Sequence, residues 1–247
     1  MFVAASSRSF SNRPFQDVCN LVADLEFDKI EIWLNESGDG FRPSLVAADP
    51  EKQFASFREM TRLTPVALYL EHDITPETFA GICKWAKMLR IAQITLPASP
   101  LGTPFNTEID RLKRFLAIAN SDGIRISIKT QTGMLTEDPR TAVELCQSVN
   151  GVGLTFDPSY YIRQGYGPDS FDPIYPYVFH THLRDSTASD LQVSVGLGHV
   201  DYNRIINQLR REKYARILSV DLLPDQTSQE QLQLEMRKLR MLLETLL

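Results

Sequence analysis

Four residues in the second half of this 247-residue chain could act together on a small molecule: Lys129, Asp157, His182 and Asp221. Each stands in or just after a short apolar run, in RISIK, VGLTFD, VFHTHL and ILSVD. A charged side chain at the end of an apolar strand is costly to bury unless something pairs with it. An ammonium, two carboxylates and an imidazole in one place supply a base, a proton carrier and a fixed positive charge. Those are the parts that proton transfer beside a carbonyl requires. A lysine among apolar strands is also a candidate Schiff-base nucleophile, although two neighbouring carboxylates would keep it protonated. Taken singly, each residue could be a structural ion pair or a satisfied core histidine. His180, one residue removed from His182, is read as such a core histidine and is expected to face the other way.

The elements that must position these groups alternate. Eight apolar runs recur: Met1–Ala5, Lys29–Leu34, Val66–Leu70, Gln93–Leu96, Arg125–Lys129, Val152–Phe156, Val178–Leu183 and Ile217–Asp221. Most are nearly continuous in apolar residues, as suits strands covered on both faces of a parallel sheet. Helical patterns lie between them, over Pro14–Leu25, Thr75–Leu89, Thr136–Val149, Asp201–Arg211 and Gln226–Leu246. Eight β-then-α units without a linker predict one closed (β/α)8 barrel over residues 1–247. An open doubly wound sheet is the alternative, but no glycine-rich phosphate loop follows the first strand. In a barrel, Lys129, Asp157, His182 and Asp221 come from four consecutive strands and converge at the C-terminal mouth. Other polar residues near the same ends are Glu31, Trp33, Asn35, Glu36, Glu71, His72, Arg184 and Asp185.

Composition narrows the partners. The net charge is −5, with no basic run, so a large nucleic-acid footprint is not expected. No stretch approaches the ~20 apolar residues that span a bilayer. The N-terminal MFVAASSRSFSN lacks the pattern of a secretory signal, so a cytoplasmic protein is expected. Cys19, Cys83 and Cys146 are far apart and odd in number, and are read as small buried side chains rather than a disulfide framework. Gly196 and Gly198 are expected to set a turn.

Six segments in order resemble the xylose-isomerase-like barrels, which include sugar isomerases and epimerases, inosose dehydratases and the endonuclease IV enzymes. They are FDKIEIW (27–33), ISIKTQTGMLTEDPRTAVEL (126–145), VGLTFDPSYY (152–161), VFHTHLRD (178–185), VGLGHVDYNRIINQL (195–209) and ILSVD (217–221). The resemblance implies a barrel acting on a small carbohydrate or sugar phosphate, in a protein able to form a homo-oligomer. It also implies a single divalent cation (Mn, Mg, Co or Zn) held by Glu, Asp, His and Glu from strands five to eight. Matched residue by residue, the Asp is Asp157, the His is His182, and Asp221 stands for the last Glu.

The first Glu is Lys129 here, and an ammonium has no lone pair for a metal. The expectation is therefore no cofactor, with Lys129 supplying the positive charge. The alternative is a three-ligand metal site of Asp157, His182 and Asp221. Tyr160 stands where the family often has a histidine. Glu31, Trp33, His72, Tyr160 and Arg184 are the candidate ligand-binding residues. Three functions remain open: a sugar or sugar-phosphate isomerase or epimerase, a lysine-dependent lyase or aldolase, and a carbohydrate binder without catalysis. With only His72, His180, His182 and His199 present, a three-zinc endonuclease is not expected.

Overall fold

The computed structural model describes residues 1–247. Its strands are β1 (Phe2–Ser6), β2 (Lys29–Leu34), β3 (Thr64–Leu70), β4 (Gln93–Leu96), β5 (Arg125–Lys129), β6 (Val152–Phe156), β7 (Val178–Leu183) and β8 (Ile217–Val220). All pair in parallel with their sequence neighbours, and β1 pairs with β8 to close the barrel. The (β/α)8 expectation is correct, and the open-sheet alternative is excluded by the Phe2–Ile217 to Ala5–Val220 register.

The helices are α1 (Phe15–Asp24), α2 (Pro43–Ala48), α3 (Pro50–Met60), α4 (Pro76–Met88), α5 (Phe105–Ser121), α6 (Pro139–Ser148), α7 (Pro158–Arg163), α8 (Tyr202–Arg211) and α9 (Gln229–Leu246). Several starts are set by a cap rather than by the first polar residue of the pattern. α6 begins at Pro139, not Thr136, because the Asp138 side chain accepts from the Thr141 amide and Pro139 fits the first turn. α9 begins at Gln229, not Gln226, because Ser228 caps it and Pro224–Gln226 forms a separate 3-10 turn. The sixth unit departs from a plain β-then-α pattern. After the short α7, Pro168–Tyr177 is a 3-10 stretch interrupted by Pro173 and Pro176, which lack the amide that an α-helix needs.

The core lies between sheet and helices, while much of the barrel interior is polar. Gln93 Nε2 donates to Ser127 Oγ at 2.7 Å, and Ser127, Thr155 and Thr95 hydroxyls form a chain with contacts of 2.6 and 2.8 Å. The three hydroxyls and the Gln93 amide nitrogen satisfy one another beneath the mouth, while Gln93 Oε1 is buried without a partner.

Candidate functional site

The four strand-end residues do converge. Lys129 Nζ lies 3.2 Å from Asp221 Oδ2 and 3.7 Å from Asp157 Oδ2. His182 Nδ1 lies 3.4 Å from the same Asp221 oxygen. All four are buried, with Lys129 only 1% exposed and the others fully enclosed. Strand geometry explains the meeting: each side chain stands at the end of a neighbouring strand and points toward the axis.

Arg184 joins the cluster from just beyond β7. It donates to Asp157 Oδ2, to Ser159 Oγ at 3.0 Å and to the Asp221 carbonyl at 3.2 Å. Asp157 Oδ1 accepts from the amide and hydroxyl of Ser159. Both Asp157 oxygens are therefore committed. Tyr160 is nearly buried, with Lys129 5.9 Å and Arg184 5.4 Å from its ring centre.

Arg8 was not among the expected site residues. It follows β1 and carries no periodic signal, so only the closed barrel places it beside strands three and eight. Its Nε lies 3.2 Å from Glu71 Oε2 and its Nη1 lies 3.4 Å from Asp221 Oδ2. Tyr69 is a second unexpected member: Lys129 Nζ stands 4.5 Å from its ring centre and 3.5 Å from its hydroxyl. Arg8, Lys129 and Arg184 face Glu71, Asp157 and Asp221, so three cations meet three carboxylates.

The charges reinforce one another. Burial pulls the Lys129 amine down, but Tyr69 and Asp221 outweigh it and the net direction is up, so the amine stays protonated. Burial pushes the Asp221 carboxyl up, but Lys129, His182, Arg8 and Arg184 hold it well below its ordinary value. Burial, aided by Lys129, lowers His182 and keeps it neutral.

His180 does not face away from His182. Residues two apart on a strand share a face, and both rings reach Glu31: His180 Nε2 at 2.8 Å and His182 Nε2 at 3.0 Å. Ser219 Oγ donates to the other Glu31 oxygen at 2.6 Å. Glu31 is fully buried and lies below the mouth, bonded to both histidines, not on an open wall.

Trp33 and His72 lie elsewhere from Tyr160 and Arg184. They line an open cleft of about 330 Å³ together with Arg8, Asn35, Glu71 and Gln226. Trp33 Nε1 donates to Glu71 Oε2 at 2.6 Å. The expected ligand-binding residues thus divide between an open cleft and a sealed cluster, and Arg8 belongs to both.

Gly196 and Gly198 do set a turn, and the residue they wrap is Asp185. Its carboxylate accepts from the amides of Ser186, Gly196, Gly198 and Val200. A Cβ on Gly198 would stand 2.0 Å from Asp185 Oδ1, so the loop after β7 requires glycine there.

Donor atoms of Asp157, His182 and Asp221, and separately of Glu31, His180 and His182, lie within 4.8 Å of one another. No helix is long and apolar enough to cross a membrane.

Comparisons with known proteins agree with this architecture. A D-tagatose 3-epimerase-like protein superposes with TM-score 0.77 at 16% identity, over 100% of this chain and 98% of its own. A xylose isomerase-like barrel from Mycobacterium smegmatis, solved in complex with magnesium, gives TM-score 0.77 at 15% identity over 99% and 97%. A probable 3-DHS dehydratase from Bacillus anthracis gives 0.73 at 17% identity over 97% and 98%. At such identities the likeness is one of fold. No curated protein sequence matches the chain. Residues 19–242 match the family described as xylose isomerase-like TIM barrel, and the chain belongs to that family.

Proposed function

We propose that the protein is a sugar or sugar-phosphate isomerase or epimerase in which the Lys129 ammonium takes the place of a divalent cation. The observation that carries this reading is the position of Lys129 Nζ, 3.2 Å from Asp221 and 3.7 Å from Asp157. The remaining donors do not fit a metal. Both Asp157 oxygens are engaged by Arg184 and Ser159, leaving Asp221 Oδ1 and His182 Nδ1 as uncommitted atoms. Three cationic side chains already neutralise the carboxylates, and a divalent ion would add charge where none is wanted.

In this mechanism the substrate carbonyl takes a hydrogen bond from Lys129. That draws the ammonium from Asp221 and raises the basicity of its free Oδ1. Asp221 removes the proton from the carbon beside the carbonyl, and Lys129 stabilises the enolate oxygen. In an isomerisation the proton is delivered to the former carbonyl carbon while the adjacent hydroxyl gives its proton to the enolate oxygen and becomes the new carbonyl; in an epimerisation the proton returns to the other face of the same carbon. His182, oriented by Glu31, carries it between them. Entry requires Arg8 to part from Glu71, which joins the open cleft to the sealed cluster. The raised Lys129 amine weighs against a Schiff-base lyase. A carbohydrate binder without turnover is the second reading, favoured by the sealing and charge balance of the cluster.

The test is solvent exchange. In heavy water with chelator present, a panel of ketoses, aldoses and their phosphates should yield one substrate that gains deuterium beside its carbonyl. Saturable binding with no exchange across the panel would favour the binder and end the enzymatic reading.

A further inference from the structure

The opposite end of the barrel holds two guanidiniums with no negative partner. Arg125 opens β5, and Arg216 immediately precedes β8. Arg125 shares a strand face with Ser127 and Lys129, both of which point to the barrel interior, so its stem enters the floor. At the foot of β6 stands Gly153. The space its Cβ would fill is occupied by the Phe179 ring, whose nearest atom is 2.2 Å from that position. Arg216 lies over the Phe179 ring at 5.2 Å and beside the Tyr214 ring at 5.9 Å. The two rings hold its guanidinium in place but give it no counter-charge.

Other half-buried or buried cations are matched, by a carboxylate in every case but Arg13, which donates to Gln229 Oε1. Lys29 pairs with Asp28, Arg111 with Glu108 and Asp73, Arg184 with Asp157, and Arg240 with Glu26 and Glu244. Arg125 has no such partner, and its Nε is buried without any hydrogen bond. Burial and the nearby Arg216 charge both lower the Arg125 guanidinium, as like charges brought together must. An unmatched buried donor is destabilising, the more so where the group is charged.

We propose that Arg125 and Arg216 form an anion-binding site in the floor of the barrel, built for a compact oxyanion. A phosphate or carboxylate offers several acceptor oxygens to two planar donor forks, satisfies the orphaned Nε and removes the repulsion in one step. The site is at the far end of the barrel from Lys129 and does not rest on the proposed reaction.

The intact protein can be tested in low-chloride buffer by thermal melting and calorimetry. Sodium phosphate and sodium acetate are each compared with sodium chloride at matched ionic strength. The variants are Arg125→Met and Arg216→Met, which keep the apolar stem. Phosphate should raise the melting temperature saturably by several degrees with one-to-one binding, and both effects should vanish in each variant. Without phosphate, each variant should melt no lower than the native protein, because the repulsion is gone. A matching acetate response would extend the ligand class to carboxylates, and a response to phosphate alone would restrict it. No saturable effect beyond sodium chloride in the native protein would overturn the proposal. So would binding that survives in either variant.

Discussion

Lys129→Met should destabilise the protein by about 3–5 kcal/mol, the usual result of removing one partner from a buried ion pair. For a chain of this size that corresponds to a fall in melting temperature on the order of 10 °C. Methionine nearly conserves volume, so the loss reports charge rather than packing. Asp221 would keep Arg8 at 3.4 Å and Arg184 Nη1 at 3.8 Å, which places the effect toward the lower end of the range. Turnover, where the native protein shows it, should fall sharply, because the other two cations of the cluster, Arg8 and Arg184, are held by Glu71 and Asp157. Adding Asp221→Asn to Lys129→Met should cost less than the sum of the two single changes, since they share one interaction. Urea unfolding of the four proteins in the cycle measures this. Strict additivity would show that Lys129 and Asp221 do not act as a pair.

Lys129→Glu should have the larger consequence. It exchanges a cation for an anion beside Asp157, Asp221 and His182, and so restores the first carboxylate that the family resemblance implies for a metal centre, with Asp221 in place of the last Glu. In chelator this variant should be the least stable form of the protein, with three carboxylates gathered in a buried site. Manganese or cobalt should then stabilise it strongly. Binding to the folded state alone adds about 2.7 kcal/mol at a hundred times the dissociation constant. The native protein should show no such response. Melting curves with and without the ion, for both proteins, give the comparison. A variant indifferent to the ion would mean that Arg8 and Arg184, not Lys129, exclude metal from the mouth.

Much of this was legible from residue order. The eight strands follow from apolar runs, because strands covered on both faces leave a strong local signature. The convergence of Lys129, Asp157, His182 and Asp221 follows from consecutive strands in a closed barrel. What was not legible depends on groups brought together by closure alone. Arg8 and Glu71 are 63 positions apart in sequence and meet only because β1 and β3 flank the same part of the mouth. The shared face of His180 and His182 is legible in the sequence, since period-two alternation puts them on one side of β7, where Glu31 holds both rings. The sealing of the cluster was hidden for another reason. Side-chain reach across a mouth depends on rotamers, and the alternation of strands and helices does not encode them. The family resemblance supplied the expected metal ligands, and the same residue-by-residue match put a lysine at the first of them and the shorter Asp221 at the last.

In the proposed mechanism Lys129 replaces a metal ion. The most direct test is metal analysis of the native protein, purified without chelator and then equilibrated with manganese, cobalt or zinc and desalted. If Lys129 takes the place of the ion, metal should be substoichiometric in every case and the melting temperature should not respond to chelator. One tightly held manganese, cobalt or zinc ion per chain, lost together with stability on chelation, would contradict it.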